Sequence, residues 1–151
     1  MSKCVVIGVT GGIAVYKALD VISALRKKDI EVHVIMTESA SKFVNPLTFQ
    51  SISQNMVVTD MFAEPKAWEI QHISLAQKAD LMLIAPATAN VIGKISNGIA
   101  DDMLSTTALA CSAKKIVSPA MNVHMFENPI VQDNLKILEH YGYEVIQPAS
   151  G

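Results

Sequence analysis

Short unbroken apolar runs alternate along this chain with longer stretches in which apolar residues return every three or four positions. The first run, Cys4 to Val9, ends at Thr10-Gly11-Gly12. From Ile13 to Lys28 the residues Val15, Leu19, Ile22 and Leu25 keep a helical period. Glu31 to Met36 is a second run, and Thr37-Glu38-Ser39 then caps a short helix reaching Val44. Asn45-Pro46 interrupts it, and Leu47 to Ser53 resumes helical spacing. Val57 to Met61 reads as a short strand, Phe62 to Glu69 as a loop, and Ile73 to Lys78 as a brief helix. The strongest strand is Asp80 to Ala85, ended by Pro86, with helix following at Val91 to Ile95 and again from Ala100 to Ala113. Lys115 to Ser118 forms a further strand. A helix opening at Pro129 runs to Tyr141, stops at Gly142, and leaves Tyr143 to Gln147 as the last strand.

Strands that are apolar throughout, rather than on alternate positions, belong to a sheet buried on both faces. Strand–helix alternation makes that sheet parallel and doubly wound. The expectation is an α/β fold, a three-layer Rossmann-like, mainly parallel sheet in a single domain over residues 1–151. Composition agrees: 50% of residues are hydrophobic and only 5% aromatic, which makes the core aliphatic. A net charge of −2 without a basic block argues against nucleic-acid binding. No apolar stretch approaches the roughly 20 residues of a membrane helix, and no basic-then-apolar leader precedes the first strand, so a cytoplasmic location is expected. Cys4 and Cys111 read as inert buried thiols in a reducing compartment. Neither the cysteines nor the four histidines show a metal-ligand spacing, so no metal is expected.

In open parallel sheets, ligands bind beyond the carboxyl ends of the strands. Four such ends here carry small or hydrogen-bonding residues: Thr10-Gly11-Gly12, Thr37-Glu38-Ser39, Pro86 to Asn90, and Pro119-Ala120-Met121-Asn122. Each alone fits an ordinary turn or cap. Together they line one sheet edge with hydroxyls, amides and free helix-start N–H groups, which suits an anionic ligand. Gly8, Gly11 and Gly12 lack the G-x-G-x-x-G spacing of a dinucleotide site, and the second strand ends in Met36-Thr37 rather than in an acidic ribose partner, although Glu38 is one place beyond. A mononucleotide with one phosphate fits better. His72, in Gln71-His72-Ile73-Ser74, is the natural acid/base group if it faces the cleft, with His124 its rival. His33, within a strand, and His140, at a helix C-terminus, read as structural. Asn122 either satisfies its own turn or grips a carboxylate through its NH₂. Asp101-Asp102 reads as a helix cap, because adjacent positions do not face one another.

His72-Ile73-Ser74-Leu75, Ala85 to Asn90, Asn97-Gly98-Ile99-Ala100-Asp101-Asp102 and the stretch Pro119 to Pro129 resemble the homo-oligomeric flavin-containing cysteine decarboxylases over essentially the whole chain. The resemblance implies FMN as cofactor, with Gly11, Gly12 and Ile13 near its phosphate and ribityl chain and Thr37 and Ser39 adding hydroxyls. It implies that Phe43 packs on the flavin, that Thr88, Ala89, Asn90 and Val91 contact FMN, and that Ala120 and Met121 do so from the later loop. Asn122, with Met121 beside it, would hold the substrate carboxylate, and His72 would act as base. The implied reaction is decarboxylation of 4'-phosphopantothenoylcysteine to 4'-phosphopantetheine in coenzyme A biosynthesis. It proceeds through oxidation of the thiol to a thioaldehyde, loss of CO₂ and re-reduction. Relatives assemble as trimers with the flavin at the subunit interface, or as dodecamers of trimers, and some carry a ligase domain.

Family members also carry a glycine-rich flap with a proton-donating cysteine after this point. The sequence stops at Gly151 without one, and the expectation is a piece of a longer protein. Three other readings belong to the same resemblance. One is a decarboxylase acting on the C-terminal cysteine of a peptide-antibiotic precursor, separated mainly by that flap. Another is a non-enzymatic FMN-binding regulatory subunit, against which His72 and Asn122 speak. The third is a prenyl-FMN synthase, which the Pro-Ala-Met-Asn loop disfavours.

Overall fold

The structure, a computed structural model, describes residues 2–59 and 73–148. Five parallel strands form one sheet in the order β2-β1-β3-β4-β5: β1 Cys4–Val9, β2 Glu31–Met36, β3 Leu81–Ala87, β4 Lys114–Pro119 and β5 Glu144–Val145. All six residues of β1 are buried, as a central strand between two neighbours requires. The helices are α1 Val15–Lys27, α2 Glu38–Ser41, α3 Pro46–Ser53, α4 over residues 73–78, α5 Ala89–Ser96, α6 Met103–Ala110, α7 Val123–Glu127 and α8 Pro129–His140.

The pleat divides the core into two layers. Val5, Ile7 and Val9 of β1 and Val32, Val34 and Met36 of β2 point to one face, where they meet Val15, Ala18 and Ile22 of α1 and Phe49 of α3. Cys4 and Val6 of β1, Ile35 of β2, and Met82 and Ile84 of β3 point to the other, covered by Val91 and Ile92 of α5, Met103, Leu104 and Ala108 of α6, and Leu135 and Leu138 of α8. The three-layer α/β architecture is therefore as the apolar pattern indicates.

Several boundaries differ from the sequence reading, among them α2, expected to reach Val44 and ending at Ser41, and α5, expected from Val91 and starting at Ala89. Of Val57–Met61, residues 57–59 are described and make a parallel bridge, Val58 to Ile35, while Asp60 and Met61 lie outside the described residues. Pro86 does not end β3. The strand shifts register after Ile84 and pairs again at Ala87 with Pro119, and a proline without an N–H is tolerated at such an irregularity. The helix expected over Ala100 to Ala113 is confined to α6, because Asp102 caps its start with Ser105 in a reciprocal box. The last strand shrinks to the two residues of β5. The loop 62–69 and His72 lie outside the described residues.

Candidate functional site

The chain leaves β1 for β2 on one side and returns to β3 on the other, so the crevice beyond the carboxyl ends of β1 and β3 is the topological switch point of the sheet. A cleft of about 770 Å³ opens there. Its walls are Thr10, Gly11 and Gly12 after β1, Thr37, Glu38, Ser39 and Phe43 after β2, and Thr88, Asn90, Val91, Lys94, Asp101 and Asp102 after β3.

Local chemistry explains each wall. A Cβ on Gly11 would lie 2.7 Å from Ser39 Cβ, so only glycine lets the β1 turn approach α2. Gly12 holds φ at +137°, a region L side chains rarely enter, and no atom lies within 4 Å of where its Cβ would be. Its backbone therefore presents an open face to a ligand. The Thr37 hydroxyl accepts from Ala40 N at 3.1 Å, and that of Thr88 accepts from Val91 N at 3.2 Å. Each thereby caps a helix while keeping its own O–H to donate. Ser39 and Asn90 stand exposed at the rim.

Eight residues implied as FMN contacts line this cleft: Gly11, Gly12, Thr37, Ser39, Phe43, Thr88, Asn90 and Val91. Four others are not in its wall. Ile13 is 82% exposed just past the first turn, and Ala89 is the first residue of α5. Ala120 and Met121 sit in the loop after β4, joined to the site through Ala120 N donating to Ala87 O at 3.0 Å. Asn122 is exposed and caps α7, its Oδ1 accepting from His124 N at 2.8 Å. That bond satisfies its turn through Oδ1 on an exposed residue.

Thr10 and Glu38, read from the sequence as part of the ligand edge but not as FMN contacts, are also wall residues, and Lys94, Asp101 and Asp102 join them with no ligand role in the sequence reading. Lys94 falls one helical turn after Asn90, a spacing that could have flagged it. Its ammonium lies 3.0 Å from Asp101, so it is largely neutralised. With Glu38 and Asp102 also present, an anion here must be held by neutral groups: the backbone N–H groups opening the 13-residue α1 and the 8-residue α5, and the hydroxyls.

At the opposite, amino edge of the sheet, Cys4, Glu31 and His33 bring their ligand-type atoms within 4.8 Å of one another. Spacing along the chain cannot show this, since adjacent parallel strands assemble the group. Glu31 is bonded to Lys78 at 2.6 Å and to His33, which together hold its carboxyl below the usual range. Lys78 supplies the cation of this cluster, and its own pKa is raised by the same carboxylate. Burial first, and Glu31 second, push the Cys4 thiol up to about 11. His33 is thus a hydrogen-bond partner of Glu31 beside the Glu31–Lys78 ion pair, and burial keeps the Cys4 thiol in its protonated form.

A doubly wound parallel sheet with a phosphate-compatible, non-dinucleotide cleft at its switch point defines a mononucleotide-binding α/β protein. The flavoprotein family model matches residues 1–150, and the chain belongs to that family. It is 54% identical over 150 residues to the coenzyme A biosynthesis bifunctional protein CoaBC of Bacillus subtilis (strain 168), covering 99% of this chain and 37% of that protein. It is 43% identical over 152 residues to the probable phosphopantothenoylcysteine decarboxylase of Streptococcus mutans, covering 99% of this chain and 85% of that protein. Among solved structures, the FMN-dependent cysteine decarboxylase SpaF superposes with a TM-score of 0.89 at 31% identity, over 99% of this chain and 86% of the other. The chain thus spans little more than a third of the bifunctional relative and most of the Streptococcus mutans one.

Proposed function

We propose that this chain is an FMN-dependent decarboxylase domain acting on 4'-phosphopantothenoylcysteine in coenzyme A biosynthesis. The observation that carries the reading is the glycine-opened, hydroxyl-lined cleft at the switch point, in a chain 43% identical to a probable phosphopantothenoylcysteine decarboxylase across nearly its whole length. A decarboxylase of peptidyl cysteine is the neighbouring alternative. The 54% and 43% identities to the coenzyme A relatives, against 31% to SpaF, favour the pantothenate substrate.

The residues fit the cofactor. Gly11, Gly12 and the start of α1 would take its phosphate, and the hydroxyls of Thr37, Ser39 and Thr88 would take the ribityl oxygens. Phe43, 45% exposed at the cleft mouth, offers its ring to the isoalloxazine. When bound, FMN supplies two-electron oxidation of the substrate thiol and the matching reduction. Asn122, its Oδ1 held by the α7 cap, donates its NH₂ to the substrate carboxylate and keeps it oriented as CO₂ departs. His72, the residue before Ile73 in the sequence, serves as the base. Tyr16, whose hydroxyl donates to the Phe43 carbonyl at 3.4 Å, and Phe43 are exposed together, and Ile13, three residues before Tyr16, is exposed as well, apolar surface that suits a second subunit. In this reading the domain assembles as a trimer, or as a dodecamer built of trimers, with FMN at the interface, in the cytoplasm.

The test is spectroscopic and chemical. The full-length protein should purify yellow, or take up FMN, and release CO₂ from phosphopantothenoylcysteine. His72→Asn should keep the flavin spectrum while losing decarboxylation by about two orders of magnitude or more, the usual worth of a general base. A colourless protein that takes up no FMN refutes the reading, and full activity in His72→Asn refutes the role of that histidine.

A further inference from the structure

The carboxyl ends of four strands are laced together by hydrogen bonds, and one side chain stands at the centre of the lacing. Thr37 N donates to Val9 O at 3.0 Å, tying β2 to β1, and Ala120 N donates to Ala87 O at 3.0 Å, tying β4 to β3. Between them sits Thr10, only 1% exposed. Its hydroxyl donates to Pro86 O at 2.6 Å and accepts from Thr88 N at 3.0 Å, while its backbone N–H reaches the same Pro86 carbonyl at 3.3 Å.

We infer that Thr10 is a positioning residue that sets the spacing between the two jaws of the cofactor cleft. It is covalently joined to Gly11-Gly12, the jaw with the open backbone. Through Thr88 N it grips the residue whose hydroxyl caps α5 at Val91 N, which is the other jaw. A threonine hydroxyl can donate once and accept at the same time. Both capacities are spent across the gap, one on each side of the residue that leads into the cap. Valine has the same shape and neither capacity. It would leave Thr88 N without its acceptor, and the cap would drift to find another. The ties at Val9 and Ala87 are backbone bonds that any residue makes, so the specificity of the brace resides in Thr10.

This inference rests on the FMN reading for its functional half and stands on its own for its structural half, so two readouts separate them. In the ligand-free protein, amide exchange at Thr88, followed by NMR, should speed up about ten-fold or more in Thr10→Val and stay close to wild type in Thr10→Ser. In titrations followed by flavin fluorescence quenching, Thr10→Val should bind FMN about ten-fold more weakly, with Thr10→Ser close to wild type. Serine keeps the hydroxyl and loses the methyl, so a residue serving only to pack would show the reverse order. Unchanged Thr88 exchange in Thr10→Val overturns the brace. Changed exchange with wild-type FMN affinity overturns its role in cofactor spacing. A wild-type protein that takes up no FMN overturns the cofactor reading, and the exchange measurement still decides the brace.

Discussion

At the scale of single residues, the site depends on what glycine and threonine can do that other residues cannot. Gly11 is needed for space and Gly12 for conformation, and the two fail differently when changed. Gly12→Ala meets no neighbour but must hold a Cβ at φ +137°, which costs about 1 kcal/mol or more. The expected outcome is a modestly lowered thermal midpoint together with a large loss of FMN uptake, because the added methyl fills the open face of the cradle. Calorimetry and the visible spectrum of the purified variant check the two effects separately. The glycines were legible in the sequence as a turn. Their division of labour was not, because it depends on Ser39, which reaches Gly11 only when β2 lies beside β1.

Elements show the same dependence on context. Thr37, Thr88, Asp102, Asn122 and Asn128 each cap the helix that follows, and each is a residue type whose short side chain favours that position. The caps at Thr37 and Thr88 also face the cleft, so one hydroxyl serves a helix and a ligand together. Asp102 is the reciprocal case, with Ser105 N donating to its Oδ1 at 2.8 Å. Asp102→Ala should lower stability by about 1 kcal/mol, read from urea unfolding, and loosen the end of the cleft where Asp102 and Asp101 sit. Helix starts were readable from such residues. Strand ends near proline were less so: the rule that proline ends a strand ignores the register shift that lets β3 pass Pro86 and pair again at Ala87.

For the whole molecule, the buried Cys4 thiol and the half-buried Tyr143 phenol bear on stability at alkaline pH. Burial pushes Cys4 from 9.0 up to about 11, and burial, with Cys111 adding a smaller part, pushes Tyr143 from 10.0 up to about 12. In both, the native state holds its proton at a pH where the unfolded chain has lost it, so stability must fall as pH rises. The loss starts near pH 9, as the unfolded thiol ionises, and continues toward about 12. Urea unfolding midpoints between pH 8 and 11 should decline steadily, and Tyr143→Phe should flatten the upper part of that decline. No helix among the described residues is long and apolar enough to cross a membrane.

The sequence by itself determined the fold class and the edge on which the site lies. Buried parallel strands must be apolar throughout, and the small and capping residues gather at their carboxyl ends; both are local patterns. The motifs around His72, the Ala85 to Asn90 segment and the Pro119 to Pro129 stretch resemble the flavin-containing cysteine decarboxylases on sequence alone. Tertiary structure alone decided which of those residues share a wall, since Gly12, Ser39 and Thr88 meet only after three strands align. It decided that Lys94 is paired with Asp101 and that Cys4, Glu31 and His33 meet across β1 and β2. It also made Thr10 the brace between the jaws. A hydroxyl in sequence carries no sign of its partners, and those at Pro86 and Thr88 lie more than seventy residues away, brought within 3.0 Å only by the pairing of β1 with β3.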